Sequence, residues 1–184
     1  MIDPRRLPSL CEIRSEKARR HLRDFVRLAW PILEPETELA WSWHLDAICD
    51  HLEAVANGEI QKLLINVPPG HGKSLLVSVF FPAWMWLRRP SWRAVFASYK
   101  SELANRDAGK CRDVISSDWY QSSFKPAWKL KGDTNVKSLY GNTMTGIRQA
   151  VGVGSGSTGF RGDAVIVDDP LKQTSSRRPS RSKK

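Results

Sequence analysis

"LLINVPPGHGKSLL", residues 63–76, carries an apolar run into two prolines, two glycines and a lysine before the apolar pattern resumes. The run "KLLINV", 62–67, is short, apolar and followed by prolines, as a strand buried in a parallel sheet would be. From Ser74 to Arg88 the pattern reads as a helix, with Pro82 predicting a kink or an early end. The segment is therefore a loop from strand to helix, and Lys73 stands where the helix begins. A cation at that end opposes the helix dipole unless an anion is bound, so the placement points to an anion. Glycines at 70 and 72 remove Cβ atoms where a phosphate would approach the backbone. A loop of this kind curls its N–H groups around a β-phosphate, while its lysine reaches β and γ oxygens and its serine ligates magnesium. Gly70, His71, Gly72, Lys73 and Ser74 are thus the candidate binding residues, with ATP and Mg2+ as the implied ligands. The usual G-x-x-x-x-G-K-[ST] pattern has a glycine where this chain has Val67, so the bare pattern is not met. A proline–glycine turn with a solvated Lys73 is the alternative.

A second segment bears on that choice. "DAVIVDDP", 163–170, is an apolar strand pattern that delivers Asp168 and Asp169 at its end. In nucleotide hydrolases with such a loop, a later strand ends in a carboxylate of the magnesium shell, often followed by one that polarises the attacking water. Asp168 is the candidate metal residue and Asp169 the candidate catalytic one. A plain Asp-Asp-Pro turn is the alternative here, but two such segments in this order reinforce each other.

The rest of the chain supplies the frame. At 184 residues it has the length of one domain, and its 41% hydrophobic and 26% charged content is that of a globular protein. No apolar run approaches the roughly 20 residues of a membrane-spanning helix, and the charged N-terminus lacks a secretory signal, so a cytoplasmic setting and no membrane partner are expected. Cys11, Cys49 and Cys111 have no disulfide or zinc spacing and read as buried or incidental thiols. Ser9 and Glu12 have capping-box spacing ahead of a helix over 10–29 that Trp30-Pro31 should stop. A second helix spans about 39–56 and closes at Asn57-Gly58. "RAVFASY", 93–99, reads as a buried strand, and Ser101 as the cap of a helix to about 117. Residues 118–162 read as hairpin or edge strands with a flexible loop at "GSGSTGFRG". The fold class expected is α/β of the P-loop NTPase type, a mainly parallel sheet flanked by helices and incomplete at the C-terminus.

The net charge is +10, but residues 171–184 hold six basic residues and no acid, and removing those six leaves +4. Residues 1–27 carry eight Arg and Lys against four Asp and Glu, so the polyanion signal sits at the two ends.

The stretches "WHLDAICDHLEAVANGEIQKLLINVPPGHGKS", "AVFASYKSELANRDAGKCRDVI" and "GSGSTGFRGDAVIVDDPLK" together resemble the large subunit of tailed-phage DNA-packaging terminases over about residues 40–172. The resemblance implies an ATPase motor in a homo-oligomeric ring that drives double-stranded DNA into a capsid, with the portal protein and terminase small subunit as partners. It also implies a C-terminal nuclease domain that cuts the concatemer, a domain expected to be absent here. Carried onto this chain, Gly70, His71, Gly72, Lys73 and Ser74 match the phosphate loop and Asp168 the magnesium-associated carboxylate. Asp169 stands where many relatives have a catalytic glutamate, one methylene longer. Arg161, in the "GFRGD" turn, resembles an arginine that relatives offer to a neighbouring subunit's γ-phosphate; a loop solubiliser is its alternative. Many such terminases carry an arginine in the phosphate loop, often where this chain has Gly70. Trp43 and His44 fall where the family's adenine-side segment would lie, though a tryptophan on an amphipathic helix is more often core.

The resemblance ends at "DDPLK": the acidic helical sequence, coupling motif and nuclease of the family give way to "QTSSRRPSRSKK", the pattern of a truncated or frameshifted chain. The organisation expected is an N-terminal helical extension over 1–38, a partial P-loop ATPase domain over 39–172 and a disordered basic tail over 173–184. Three readings stand: a packaging ATPase, an inactive fragment that binds nucleotide or nucleic acid only, and a helicase-like P-loop ATPase.

Overall fold

The computed structural model describes residues 7–154 and 160–171. The expected tail over 173–184 and most of the "GSGSTGFRG" loop lie outside the described residues.

The N-terminal part is helical. Helix α1 (Leu10–Arg20) opens with the capping box: Glu12 N–H donates to Ser9 Oγ at 3.2 Å, and Ser9 N–H donates to the Glu12 carboxylate at 2.7 Å. The single helix expected over 10–29 is instead two, because His21 is extended (φ −122°, ψ 124°) and α2 (Leu22–Leu33) starts anew. Glu53 secures the break by accepting from Leu22 N–H at 2.7 Å, which satisfies a donor at the start of α2. The bend lets Ala18, Leu22, Phe25, Val26 and Ala29 all face the core. Pro31 does not stop α2; it lies inside the last turn, where its missing N–H removes one helical bond and Trp30 Nε1 anchors the exit by donating to Thr37 O at 2.8 Å. Helix α3 (Trp43–Ala56) closes at Asn57 and Gly58, whose φ of 81° is the left-handed geometry that glycine accepts without strain.

Five strands form one sheet in the order β2-β3-β4-β1-β5. Strands β1 (Arg93–Ser98), β4 (Ile147–Gly152) and β5 (Ala164–Asp168) run parallel, while β2 (Leu130–Val136) and β3 (Leu139–Asn142) pair antiparallel. The sheet is therefore mixed and not mainly parallel. The cause is the connections: β2, β3 and β4 follow one another through turns too short for the crossover that a parallel pair requires.

The apolar run 62–67 is not a strand, contrary to its reading from sequence. Its side chains still alternate, with Leu63, Ile65 and Val67 packed against the core and Leu64 exposed. No described strand offers it a ladder. Strand β5 pairs with β1 alone, and a cavity of about 790 Å3 separates β5 from the stretch Leu63–Ile65. A run with strand periodicity stays irregular when no neighbour's N–H and C=O groups lie within reach.

The helix expected from Ser74 continues to Arg88 despite Pro82. Residues Leu75–Phe80 take the wider π-helical register and lead into α4 (Phe81–Arg88), with Pro82 in its first turn. Ser78 O, the carbonyl an N–H at 82 would have taken in α register, instead accepts from Arg148 Nη2 at 2.8 Å. Helix α5 (Ser101–Ser116) begins after Lys100 with no side-chain cap, so Ser101 is its first residue and not its cap. Helix α6 (Asp118–Phe124), absent from the sequence reading, is capped by Ser117 Oγ, which accepts from Tyr120 N–H at 3.2 Å. Four of the tryptophans, Trp84, Trp86, Trp92 and Trp128, are buried in the core between these helices and the sheet. Their polar edges find backbone partners, for example Trp84 Nε1 donating to Ala18 O at 3.0 Å and Trp128 Nε1 to Trp86 O at 3.1 Å. Among the described residues no helix is long and apolar enough to cross a membrane.

Candidate functional site

The site lies at the carboxyl ends of the parallel strands β1 and β5, where Ser98 pairs in register with Asp168. Open α/β sheets bind their ligands at this edge, because loops leave the strands there without covering one another. Two loops meet above it. One is the 68–72 turn, in which Gly70 (φ 82°) and Gly72 (φ 77°) both occupy left-handed geometry closed to most side chains. His71 braces that turn, its Nδ1 lying 3.2 Å from Pro68 O and 3.0 Å from Pro69 O. From α3, His44 reaches across with Nε2 3.3 Å from His71 O, while its Nδ1 lies 2.6 Å from Ser42 Oγ. Gly72 O accepts from Leu76 N–H at 2.9 Å, so the helix starts directly out of the turn and presents Lys73 and Ser74 in its opening residues.

The other loop follows β5. Asp169 has a φ of 45°, a left-handed conformation that aspartate tolerates better than most residues, and its carbonyl accepts from Tyr99 N–H at 3.1 Å. The turn is thus tied to the end of β1, and both carboxylates point toward the helix start. Lys73 Nζ donates to Asp169 Oδ1 at 2.8 Å and lies 3.1 Å from Asp168 Oδ1. The lysine side chain is 24% exposed, Asp168 16% and Asp169 66%. Burial pulls the Lys73 ammonium toward neutrality, but hydrogen bonds to Asp169 and Asp168, together with their charges, outweigh it and hold its pKa above the ordinary lysine value.

A cavity of about 840 Å3 opens over this cluster, lined by Gly70, His71, Gly72, Lys73, Ser74 and Asp169. Trp41 lines it from the α3 side, half-buried under the guanidinium of Arg27, which stands 4.3 Å from its ring centroid. Asp168 lies on the wall of the 790 Å3 cavity beside it, and Lys73 borders both. The chemistry of this donor set fits a magnesium-bound polyphosphate. Magnesium takes one or two carboxylates and leaves its remaining positions to water and phosphate oxygens, a share that Asp168 and the Ser74 hydroxyl would supply. The open backbone at 70–72 and the ammonium of Lys73 suit an anion.

The structure therefore brings together Gly70, His71, Gly72, Lys73, Ser74, Asp168 and Asp169. It does not bring Arg161 to them: that side chain is exposed and lines neither cavity. Trp43 is 80% exposed and not core, whereas its neighbour His44 lines the cavity. One charged residue of the cavity was not singled out by the sequence motifs. Arg106, on α5, lines the same cavity as the phosphate-loop candidates. Its signal was slight, a lone arginine in the second turn of the helix that follows β1, with no spacing rule to single it out.

Compared with protein-family models, with curated proteins and with solved structures, the chain matches none.

Proposed function

We propose that this chain is the nucleotide-binding part of a P-loop ATPase of the DNA-packaging terminase type. The observation that carries the reading is the contact of Lys73 Nζ with the carboxylates of both Asp168 and Asp169, across 96 residues of chain in the latter case. A loop lysine and a strand-end carboxylate pair are the groups that serve one phosphate group and its metal ion in sites of this kind. The cavity above them, the two left-handed glycines and the helix start at Lys73 support the same conclusion. The assignment to terminases rests on the resemblance of the segments over residues 40–172.

On this reading Lys73 exchanges its carboxylate partners for β and γ oxygens of ATP, and the N–H groups of 70–74 turn toward the β-phosphate. Asp168 and the Ser74 hydroxyl would hold Mg2+, which would supply neutralisation of charge on the transferred phosphoryl group. Asp169 accepts a hydrogen bond from the attacking water and aligns it; its 66% exposure leaves it room to swing. Arg161, exposed and outside the cavity, would act only toward a neighbouring subunit in a ring. Double-stranded DNA, the portal protein and the terminase small subunit are the partners this function requires.

A second reading, binding without turnover, is favoured by one feature. Among the described residues the run 62–67 that enters the phosphate loop has no ladder partner, so the loop lacks the paired strand beneath it that holds catalytic geometry. Steady-state phosphate release by the purified chain and by Lys73→Ala separates the two. Release that falls to background in the variant supports the ATPase; no release above background in either, with Mg·ATP still binding, supports the second reading. Equal release from both would remove Lys73 from the reaction and the proposal with it.

A further inference from the structure

We propose that Arg106 is a phosphate ligand acting within its own subunit, contacting the terminal phosphate of a bound nucleoside triphosphate, with Asp107 as the residue that positions it. The proposal rests on the nucleotide reading above and adds a ligand that the sequence motifs do not contain.

Four observations converge on Arg106. First, among the described residues the 840 Å3 cavity is lined by two permanently charged cations, Lys73 and Arg106. Lys73 is engaged by two carboxylates. Arg106 spends one donor, its Nε, on Asp107 Oδ1 at 2.8 Å, and its Nη1 and Nη2 groups have no partner among the described residues. It is therefore the cavity's cation with donors to spare. A planar guanidinium fork is also the side chain best matched to two oxygens of one phosphate.

Second, the anchor is buried. The Asp107 side chain is only 7% exposed and sits on the buried face of α5, whereas that of Arg106 is 55% exposed. Neighbouring helix residues point in different directions, so a bond from Arg106 Nε to Asp107 fixes the guanidinium back across the helix instead of leaving it to fan through solvent.

Third, the placement selects the phosphate. Helix α5 follows directly from β1, whose last residue Ser98 is paired with Asp168, and the Asp168 charge acts on Arg106. Arg106 lines the cavity together with Lys73 and Asp169, so a triphosphate whose β and γ oxygens Lys73 spans would bring its terminal group into the space that Arg106 borders. Fourth, the phosphate loop itself contains no arginine, and Arg161 lies away from the cavity, so no other described guanidinium lines the site.

The consequence is a site that distinguishes triphosphate from diphosphate. The test is titration calorimetry with Mg·ADP and with the magnesium complex of adenylyl imidodiphosphate, a non-hydrolysable triphosphate, on the wild type, Arg106→Ala, Asp107→Asn and Lys73→Ala. Loss of one charged hydrogen-bonded contact predicts that Arg106→Ala weakens triphosphate binding about tenfold or more while Mg·ADP changes by less than about twofold. Asp107→Asn, which loosens the guanidinium without removing it, should weaken triphosphate binding by a smaller factor and again spare Mg·ADP. Lys73→Ala should weaken both. Arg106 is half in solvent, so its alanine variant should keep the wild-type circular dichroism spectrum. Equal triphosphate affinity in wild type and Arg106→Ala overturns the inference and leaves the nucleotide reading standing. An equal loss for diphosphate and triphosphate also overturns it, since the residue would then not sense the terminal group. Absence of binding to the wild type overturns both.

Discussion

The ammonium of Lys73 has two carboxylate partners, and the shorter contact is not the one expected to matter more to stability. Asp169 is nearer, at 2.8 Å, but it is 66% exposed and screened by water. Asp168, at 3.1 Å, is 16% exposed and faces a lysine that is itself 24% exposed, so that pair works in a lower local dielectric. A double-mutant cycle on Lys73→Met and Asp168→Asn should give a coupling of about 1–2 kcal/mol, against less than about 0.5 kcal/mol for Lys73→Met with Asp169→Asn. Urea unfolding followed by tryptophan fluorescence is the assay. The pH dependence follows from the sign of the lysine shift. Its folded pKa is raised above the ordinary 10.5, so the contribution is fully present below that value and is lost only as pH rises through the higher folded one. The coupling to Asp168 should therefore be the same at pH 7 and pH 9. A coupling below about 0.3 kcal/mol, or one larger for Asp169 than for Asp168, would refute this reasoning.

Other parts of the molecule give equally direct expectations. Cys11 is exposed, whereas Cys49 and Cys111 are buried, and burial pushes the Cys49 thiol up to about 12. Ellman's reagent at pH 8 should thus titrate one thiol in the native protein and all three in guanidinium. Two thiols reacting at the native rate would show the helical core to be open. Gly146 sits where an added Cβ would collide with Pro90 O, Asn142 Nδ2 and Trp86 Nε1. Since one obstacle is backbone, Gly146→Ala should cost about 2 kcal/mol or more in urea unfolding; a variant within about 0.5 kcal/mol of wild type would contradict that geometry. Ser9→Ala removes one half of the α1 capping box and should cost about 1 kcal/mol.

The parts of the fold legible in the sequence are those set by local chemistry. The capping box at Ser9 and Glu12, the left-handed stop at Gly58, β1 and β5 all lie where residue pattern places them, because cap, turn and apolar run are each decided within a few residues. The departures have non-local causes. The break at His21 depends on Glu53 of α3, and the run 62–67 has strand periodicity without a neighbour to pair with among the described residues. Pro82 is accommodated because Arg148, far along the chain in β4, takes the carbonyl left free at Ser78. The same division holds at the candidate site. Gly70 to Ser74 and the Asp168–Asp169 pair were visible as motifs, whereas Arg106 became visible only once α5 had been set beside the loop.

Isothermal titration of the purified chain with Mg·ATP, repeated on Lys73→Ala, tests most directly whether a polyphosphate lies between residues 70–74 and the Asp168–Asp169 pair. Saturable heat in the wild type, with affinity reduced about tenfold or more in the variant, is the expected result. No heat of association in the wild type, or the same affinity in both proteins, would contradict it.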